Sequence, residues 1–430
     1  MLPGMIRRTL LSLLAVPCVA VSSLSAKEDT PAVAPIGITK RTPVDQLPSI
    51  KELPDPFQFV DGSRVKSPED WPRRREELKK LIQTYEYGTL PPAPPADQVR
   101  VKEEPDYVPP NRKLIDKTAP TVEDKPAYPE GTKVAKYLLT VGPEGDPKKQ
   151  VSFHMIVTTP PGEGPFPAIV RGDLCWGRVK PEIAAEIAKR GYLLAEFNRN
   201  EIVPDSKGER NVGAYLVYPN YDFSAPAIWA WGYHRVIDHL VTRGDVDKNK
   251  IAVTGHSRGG KTALVAGLMD DRIALTAPNN SGCGGAGCYR YQAPKSETIE
   301  AITKNFPYWF QPQFTDFIGK VDRLPIDQHS VKAAIAPRAF LSVEALGDLW
   351  ANPEGSQVTH TAAKEVYDFL GAGDKIAISF REGTHEQNLS DWQTLMDFAD
   401  QVLSGKKSER KFNNLAFPEA PRPWSWTAPK

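Results

Sequence analysis

From about residue 134 onward, short apolar runs alternate with longer segments of helical spacing. Lys136–Val141 and Val151–Val157 flank a turn rich in Gly, Pro and Asp, which predicts an antiparallel strand pair. Further strand-like runs follow at Phe166–Val170, Tyr192–Phe197, Ile251–Thr254, Ile273–Thr276, Ala339–Val343 and Lys375–Phe380. Between and after them, Ile183–Lys189, Ala225–Thr242, Thr262–Met269 and residues 356–370 and 389–403 read as helices. Strands alternating with helices after an antiparallel opening predict an α/β fold. Its sheet is mostly parallel, with antiparallel N-terminal strands and helices on both faces. An active site in such a sheet is expected at the carboxyl ends of the strands.

The flanks of this region have no such period. Residues 27–60 are rich in Pro and charge and read as an extended surface arm. Trp71 to Tyr85 reads as a charged amphipathic helix that begins after Ser67-Pro68-Glu69-Asp70. Residues 91–130 read as irregular, Arg199 to Asp222 as a long loop, and the tail from Phe417 as an irregular strap. The expected division is a signal peptide over 1–26, a Pro-rich arm and helix over 27–133, a catalytic domain over 134–410 and a tail over 411–430.

Composition changes this picture little. With 40% hydrophobic and 25% charged residues, the 430-residue chain can bury a large core. The 54 basic and 53 acidic residues nearly cancel, and nothing calls for nucleic acid. The 41 prolines predict long extended loops. At the N-terminus, Arg7-Arg8, an apolar run from Leu10 to Val21 and small residues up to Ala26 form an export signal too short to span a bilayer. A secreted or periplasmic protein with no stable membrane span after cleavage is expected. Cys18 lies in the signal, so Cys175, Cys283 and Cys288 remain, an odd number in an oxidising compartment. Cys283 and Cys288 could pair across a Gly-rich loop. No metal-ligand spacing occurs, and no metal or cofactor is implied.

Chemistry concentrates at Gly255-His256-Ser257-Arg258-Gly259-Gly260-Lys261. Gly-x-Ser-x-Gly between a strand and a helix is the signature of a nucleophile elbow, as in α/β-hydrolases. The serine must stand on a tight turn, and neighbours without side chains let the backbone close around it. The base and acid then follow in the order Ser, acid, His. His154, His234 and His239 precede the serine, His256 abuts it and is expected to point the wrong way, and His329 precedes a strand. His360 sits inside a helix, where a solvated or capping role is expected. His385, just beyond Lys375–Phe380, is the expected base. Asp348, on the loop after Ala339–Val343, is the expected acid, with Glu344 as the alternative. The backbone N–H of Arg258 is an oxyanion donor by position, and its guanidinium could add positive charge. Lys261 lies one turn beyond Ser257 and suits an anionic or hydroxyl-rich substrate.

With these residues in place, residues 135–405 resemble the glucuronoyl esterases, carbohydrate esterase family 15. The elbow is similar to that family's Gly-(Cys/His)-Ser-Arg-x-Gly-Lys. Asp327-Gln328-His329-Ser330, Ala336-Pro337-Arg338, Trp229-Ala230-Trp231-Gly232 and Asn305-Phe306-Pro307-Tyr308-Trp309-Phe310 also resemble family segments. The resemblance implies an α/β-hydrolase three-layer sandwich and an exported serine esterase acting on esters of (4-O-methyl-)glucuronic acid, carried by a polysaccharide or oligosaccharide. It implies Ser257 as nucleophile, His385 as base, and Arg258 in the oxyanion hole. Lys261, Trp350 and Glu297 (Glu300 in the alternative register) would bind the sugar. In one departure, Asn280 stands where many members carry the catalytic Glu, which leaves the role to Asp348. The family's sugar-binding Gln has no clear counterpart, and Tyr289 and Gln292 lie nearby. An acetyl-xylan or other carbohydrate esterase, and a saccharide-binding protein with weakened catalysis, are the rival readings.

Overall fold

The computed structural model describes residues 41–110, 127–208 and 210–430. The export signal expected over 1–26 lies outside the described residues. Among the described residues, nine strands form one sheet: β1 (Val99–Glu103), β2 (Lys133–Val141), β3 (Val151–Thr159), β4 (Phe166–Arg171), β5 (Leu193–Phe197), β6 (Val246–His256), β7 (Leu275–Asn279), β8 (Ala339–Ala345) and β9 (Ile376–Arg381). Their order is β1-β2-β3-β5-β4-β6-β7-β8-β9. Contacts are antiparallel from β1 to β5 and parallel from β5 through β4 to β9.

The helices are α1 (Trp71–Ile82), α2 (Pro181–Lys189), α3 (Ala214–Val217), α4 (Ala225–Leu240), α5 (Arg258–Met269), α6 (Ile299–Asn305), α7 (Gln328–Ala333), α8 (Pro353–Phe369) and α9 (Leu389–Ser404). Successive strand residues face opposite sides of a sheet, and here each side has its own core. Ile169, Leu194, Ala252, Leu341 and Ala377 pack with Ile183 and Ile187 of α2 and Trp392, Leu395 and Met396 of α9. Their neighbours Ala168, Val170, Ile251, Val253 and Phe340 pack on the other side with α4, α5, α7 and α8. Double burial explains why the central strands read as continuous apolar runs, whereas β2 keeps polar positions.

Three expectations need correction. Residues 91–130 are not wholly irregular, because Val99–Glu103 adds the edge strand β1 to β2. Its Val-Arg-Val-Lys-Glu sequence is too short and too exposed to show a buried-strand pattern. The strand expected at Ile273–Thr276 runs instead over Leu275–Asn279, following the register of β6, in which Asn279 pairs with His256. The helix starting at Trp71 ends at Ile82 and continues as a wider π-type turn over Gln83–Tyr87. Helices α6 and α7 were not anticipated; at seven and six residues they are shorter than a periodic signal requires.

The arm is more than a surface cover. Leu53, Phe57, Phe59 and Val65 are buried. The arm meets the C-terminal strap, where Trp426 Nε1 donates to the Leu53 carbonyl at 2.8 Å and Leu53 N–H donates to the Pro423 carbonyl at 2.8 Å. Trp426 also stacks on His329, whose Nε2 bonds the Pro54 carbonyl at 2.8 Å. Chain ends far apart in sequence thereby cover the same part of the core.

Burial holds His234, His239, His256 and His329 down to about 4, and pushes His360 below its ordinary value. His360 is 1% exposed, so the expected solvated or capping role does not hold. In the unfolded chain these rings titrate near 6.5. The folded values are lower, so the unfolded chain takes up more protons as pH falls from 6.5 toward 4, and stability is lost over that window. Burial also raises the carboxyls of Asp55, Glu86, Glu297, Glu344 and Asp391, which act in the opposite sense, but only Glu86 and Glu344 are raised as far as about 7, so two groups oppose five between pH 7 and pH 5. The melting temperature is expected to fall by several degrees between pH 7 and pH 5 in scanning calorimetry. A flat or rising profile would contradict the neutral buried histidines.

Candidate active site

The elbow is a strained turn with a visible support. Ser257 has φ 57° and ψ −122°, between the end of β6 and the start of α5. A non-glycine residue in this region costs on the order of 1–3 kcal/mol, so its surroundings must hold it. Ser257 N–H donates to the Asn279 carbonyl on β7 at 2.9 Å. His256 N–H donates to Asp173 Oδ2 at 2.9 Å. Asp173, just beyond β4, is fully buried and forms an ion pair with the fully buried Arg199. The motif glycines have tertiary reasons. A Cβ on Gly259 would lie 2.0 Å from Asp173 Oδ1, and one on Gly255 would lie 2.3 Å from the Gly259 carbonyl oxygen.

Across the carboxyl edge of the sheet, three expected side chains form a hydrogen-bonded row. The Ser257 hydroxyl and His385 Nε2 are 2.9 Å apart, and His385 Nδ1 and Asp348 Oδ2 are 2.5 Å apart. With Nδ1–H donated to the carboxylate, Nε2 is left to accept the serine proton. Backbone bonds tie the loops carrying acid and imidazole. Gly347 N–H donates to the Gly383 carbonyl at 2.9 Å and Leu346 N–H to the Arg381 carbonyl at 2.9 Å. Asp348 is 5% exposed, while the His385 side chain is 44% exposed, open to an entering ligand.

Glu344 does not take part in this row. It is fully buried on β8, accepts from the Ser342 hydroxyl at 2.6 Å, and interacts electrostatically with Lys332, so it belongs to the interior beneath the acid loop. His256 also departs from expectation. Its ring centroid lies 4.6 Å from that of His385, and its Nδ1 is 2.7 Å from Asn279 Oδ1. Pairing of β6 with β7 brings Asn279 beside it, which the local sequence does not reveal.

Asn280, at φ 43°, joins strand to loop. Its Oδ1 accepts from Ala345 N–H at 2.7 Å, and its Nδ2 donates to the Glu386 carbonyl at 3.0 Å. A carboxylate can accept but not donate, so it could not make both bonds. Tyr289 and Gln292 are both engaged in the scaffold. The Tyr289 hydroxyl donates to Glu86 at 2.5 Å, and Gln292 Nε2 donates to the Cys288 carbonyl at 3.3 Å. Cys175, Cys283 and Cys288 are free thiols, so Cys283 and Cys288 do not pair.

Beside Ser257 lies a charged, aromatic wall. The Lys261 side chain is buried, bonds the Ser281 carbonyl and sits 5.6 Å over the Trp309 ring. Burial lowers its pKa, opposed by the charge of Glu297. Glu297 is 5% exposed; burial raises its pKa, opposed by Lys261 and by a hydrogen bond from the Trp350 side chain. Its N–H also donates to the Trp350 carbonyl at 3.0 Å, while the Trp350 side chain is half exposed. Glu300 lies instead on α6, beside a surface depression with Thr298 and Lys304. Arg258, the first residue of α5, reaches Asp205 at 2.8 Å. Sequence reasoning missed Asp173, Asp205 and Asn279. Only Asp173 had a legible signal, a carboxylate just past a parallel strand.

A hydroxyl, an imidazole and a carboxylate in a hydrogen-bonded row beside polar and aromatic side chains can carry out acyl transfer to water. Known proteins point the same way. The model for fungal glucuronyl esterases matches residues 145–371. A 4-O-methyl-glucuronoyl methylesterase from Phanerochaete carnosa is 31% identical over 97% of this chain and 97% of its own length. A carbohydrate esterase from an unknown prokaryotic organism is 31% identical over 82% of this chain and 90% of its own. Among solved structures, a carbohydrate esterase family 15 glucuronoyl esterase from Caldicellulosiruptor kristjansonii superposes with a TM-score of 0.72 at 30% identity. It covers 90% of this chain and 99% of its own. With its mostly parallel sheet, its antiparallel N-terminal strands and helices on both faces, the chain has the α/β-hydrolase fold and belongs to the glucuronoyl esterase family.

Proposed function

We propose that the protein is a serine esterase that hydrolyses esters of 4-O-methyl-glucuronic acid through an acyl-enzyme. The observation that carries this reading is the row Ser257–His385–Asp348 on a strained elbow, next to the buried Lys261 and Glu297. A related glucuronoyl esterase from Sporotrichum thermophile, 26% identical with a TM-score of 0.66, was solved as a serine-to-alanine variant with methyl 4-O-methyl-β-D-glucopyranuronate.

In this reading Ser257 Oγ attacks the uronate carbonyl carbon while His385 Nε2 takes its proton. The carbonyl oxygen becomes an oxyanion, facing the backbone N–H of Arg258 at the start of α5 and the Arg258 guanidinium. Asp348 keeps the imidazole in the productive tautomer and stabilises the imidazolium. The tetrahedral intermediate collapses, the C–O bond to the alcohol breaks, and His385 returns its proton to the leaving oxygen. Water attacks the acyl-enzyme with His385 again as base, which frees the uronic acid and restores Ser257. Lys261 and Glu297 bind sugar hydroxyls, and the exposed ring of Trp350 packs on the saccharide. The export signal fits such an enzyme, whose polysaccharide substrate lies outside the cell. N-terminal sequencing of the mature secreted protein is expected to start just after Ala26, and retention of Leu10–Val21 would count against export by cleavage.

Two measurements test the catalytic reading. The kcat/KM on methyl 4-O-methyl-glucuronate is expected to exceed that on an acetylated xylo-oligosaccharide, and turnover of the acetyl ester alone would sink the assignment. Asp348→Asn is expected to lower kcat by about a thousand- to ten-thousand-fold, as loss of the triad carboxylate does elsewhere. Folded Glu344→Gln is expected to stay within about tenfold of the parent, because its carboxyl touches no reacting group. The reverse ranking would move the acid to Glu344.

A further inference from the structure

The segment between β5 and α3 carries a carboxylate, Asp205, that holds the residue after Ser257. Asp205 accepts from Arg258 Nη1 through Oδ2 at 2.8 Å. Its Oδ1 accepts from the Tyr308 hydroxyl at 2.8 Å and from Trp309 Nε1 at 3.1 Å. The Asp205 side chain is 7% exposed. The guanidinium it holds lies 4.5 Å from the Trp309 ring centroid, 5.0 Å from Phe306 and 5.8 Å from Trp176. Phe306 and Trp309 stack at 3.8 Å and 5° and form a flat wall for it. With Nη1 committed to Asp205, Arg258 Nε is buried and has no hydrogen-bond partner.

A buried N–H without an acceptor is costly and uncommon. This one belongs to the residue that follows the nucleophile, on the turn where negative charge develops during attack. An arginine side chain has much rotamer entropy to lose, so a guanidinium that must meet an oxyanion gains from being fixed beforehand. We propose that Asp205 is a positioning residue. With Tyr308 and Trp309 as its own supports, it clamps Arg258 so that the part of its guanidinium left open, on a side chain 27% exposed, is held ready for the developing oxyanion. The proposal rests on the reading of Arg258 as an oxyanion donor and adds the element that makes it rigid.

The test is a double-mutant cycle on purified enzyme, with kcat and KM on methyl 4-O-methyl-glucuronate normalised to the active-site concentration titrated with a fluorophosphonate. Arg258→Ala is expected to lower kcat by about a hundredfold, the scale of one oxyanion donor. Asp205→Ala is expected to lower kcat by about ten- to a hundredfold with KM within threefold, since an effect confined to the transition state appears in kcat. Asp205→Asn, which still accepts hydrogen bonds, is expected to recover most of that loss. In the Arg258→Ala background, Asp205→Ala is expected to cost nothing further. If Arg258→Ala is as fast as the parent, the oxyanion reading itself fails. If Arg258→Ala is slow but Asp205→Ala is silent, or adds its full loss on top, Asp205 does not act through Arg258 and the proposal is overturned. Should Asp205→Ala not fold, Tyr308→Phe, which removes one support of Asp205, carries the same test. A smaller loss that vanishes in the Arg258→Ala background supports the proposal, and an additive loss refutes it.

Discussion

The buried carboxylate of Asp173 is the contact on which the elbow depends. It accepts the N–H of the residue before Ser257, pairs with the fully buried Arg199, and fills the space that a side chain at Gly259 would need. Ser257 cannot keep a positive φ unless the chain on both sides is held. Before it, the Asn279 carbonyl accepts its N–H and Asp173 anchors His256, and beyond it Lys261 N–H donates to the Ser257 carbonyl at 3.1 Å. An ion pair in this setting is expensive to desolvate and gives little net stability, but removing one partner would strand the other charge. Its value is geometric, because it fixes where the hydroxyl stands.

The second constraint concerns the distance between loops. Acid and imidazole come from two loops that follow adjacent parallel strands, β8 and β9. Those loops bond to each other through backbone groups before any side chain is counted. Asn280 adds a third tie by linking the end of β8 to the residue after His385. Asn280 thus serves as a structural bracket that needs both a donor and an acceptor. That use is consistent with an orienting charge supplied by Asp348 from β8's loop, and with Glu344 remaining inside the core beside Lys332.

A third layer is the aromatic wall. Trp176, Phe306 and Trp309 surround a guanidinium on one side, and Trp309 also faces the Lys261 ammonium. Aromatic faces attract cations and exclude water, so charges here act through a low dielectric. The wall is built from segments more than a hundred residues apart. Neither Asp205 nor Trp176 carries a local pattern that marks it.

The sequence by itself determined the alternation of strands and helices and the elbow at Ser257. It also narrowed the histidines to His385 and left two carboxylates after one strand. These features are local: a period of two or 3.6, a glycine beside a serine, a polar residue just beyond an apolar run. Only the tertiary structure set Asp348 rather than Glu344 against His385, because the two lie four residues apart and differ in which side of a strand end they occupy. It also decided that His256 lies against His385, that Cys283 and Cys288 stay apart, and that Val99–Glu103 is a strand. Each of these depends on which segments the sheet brings side by side. Burial and partnership are set by that packing, and no window of neighbouring residues encodes it.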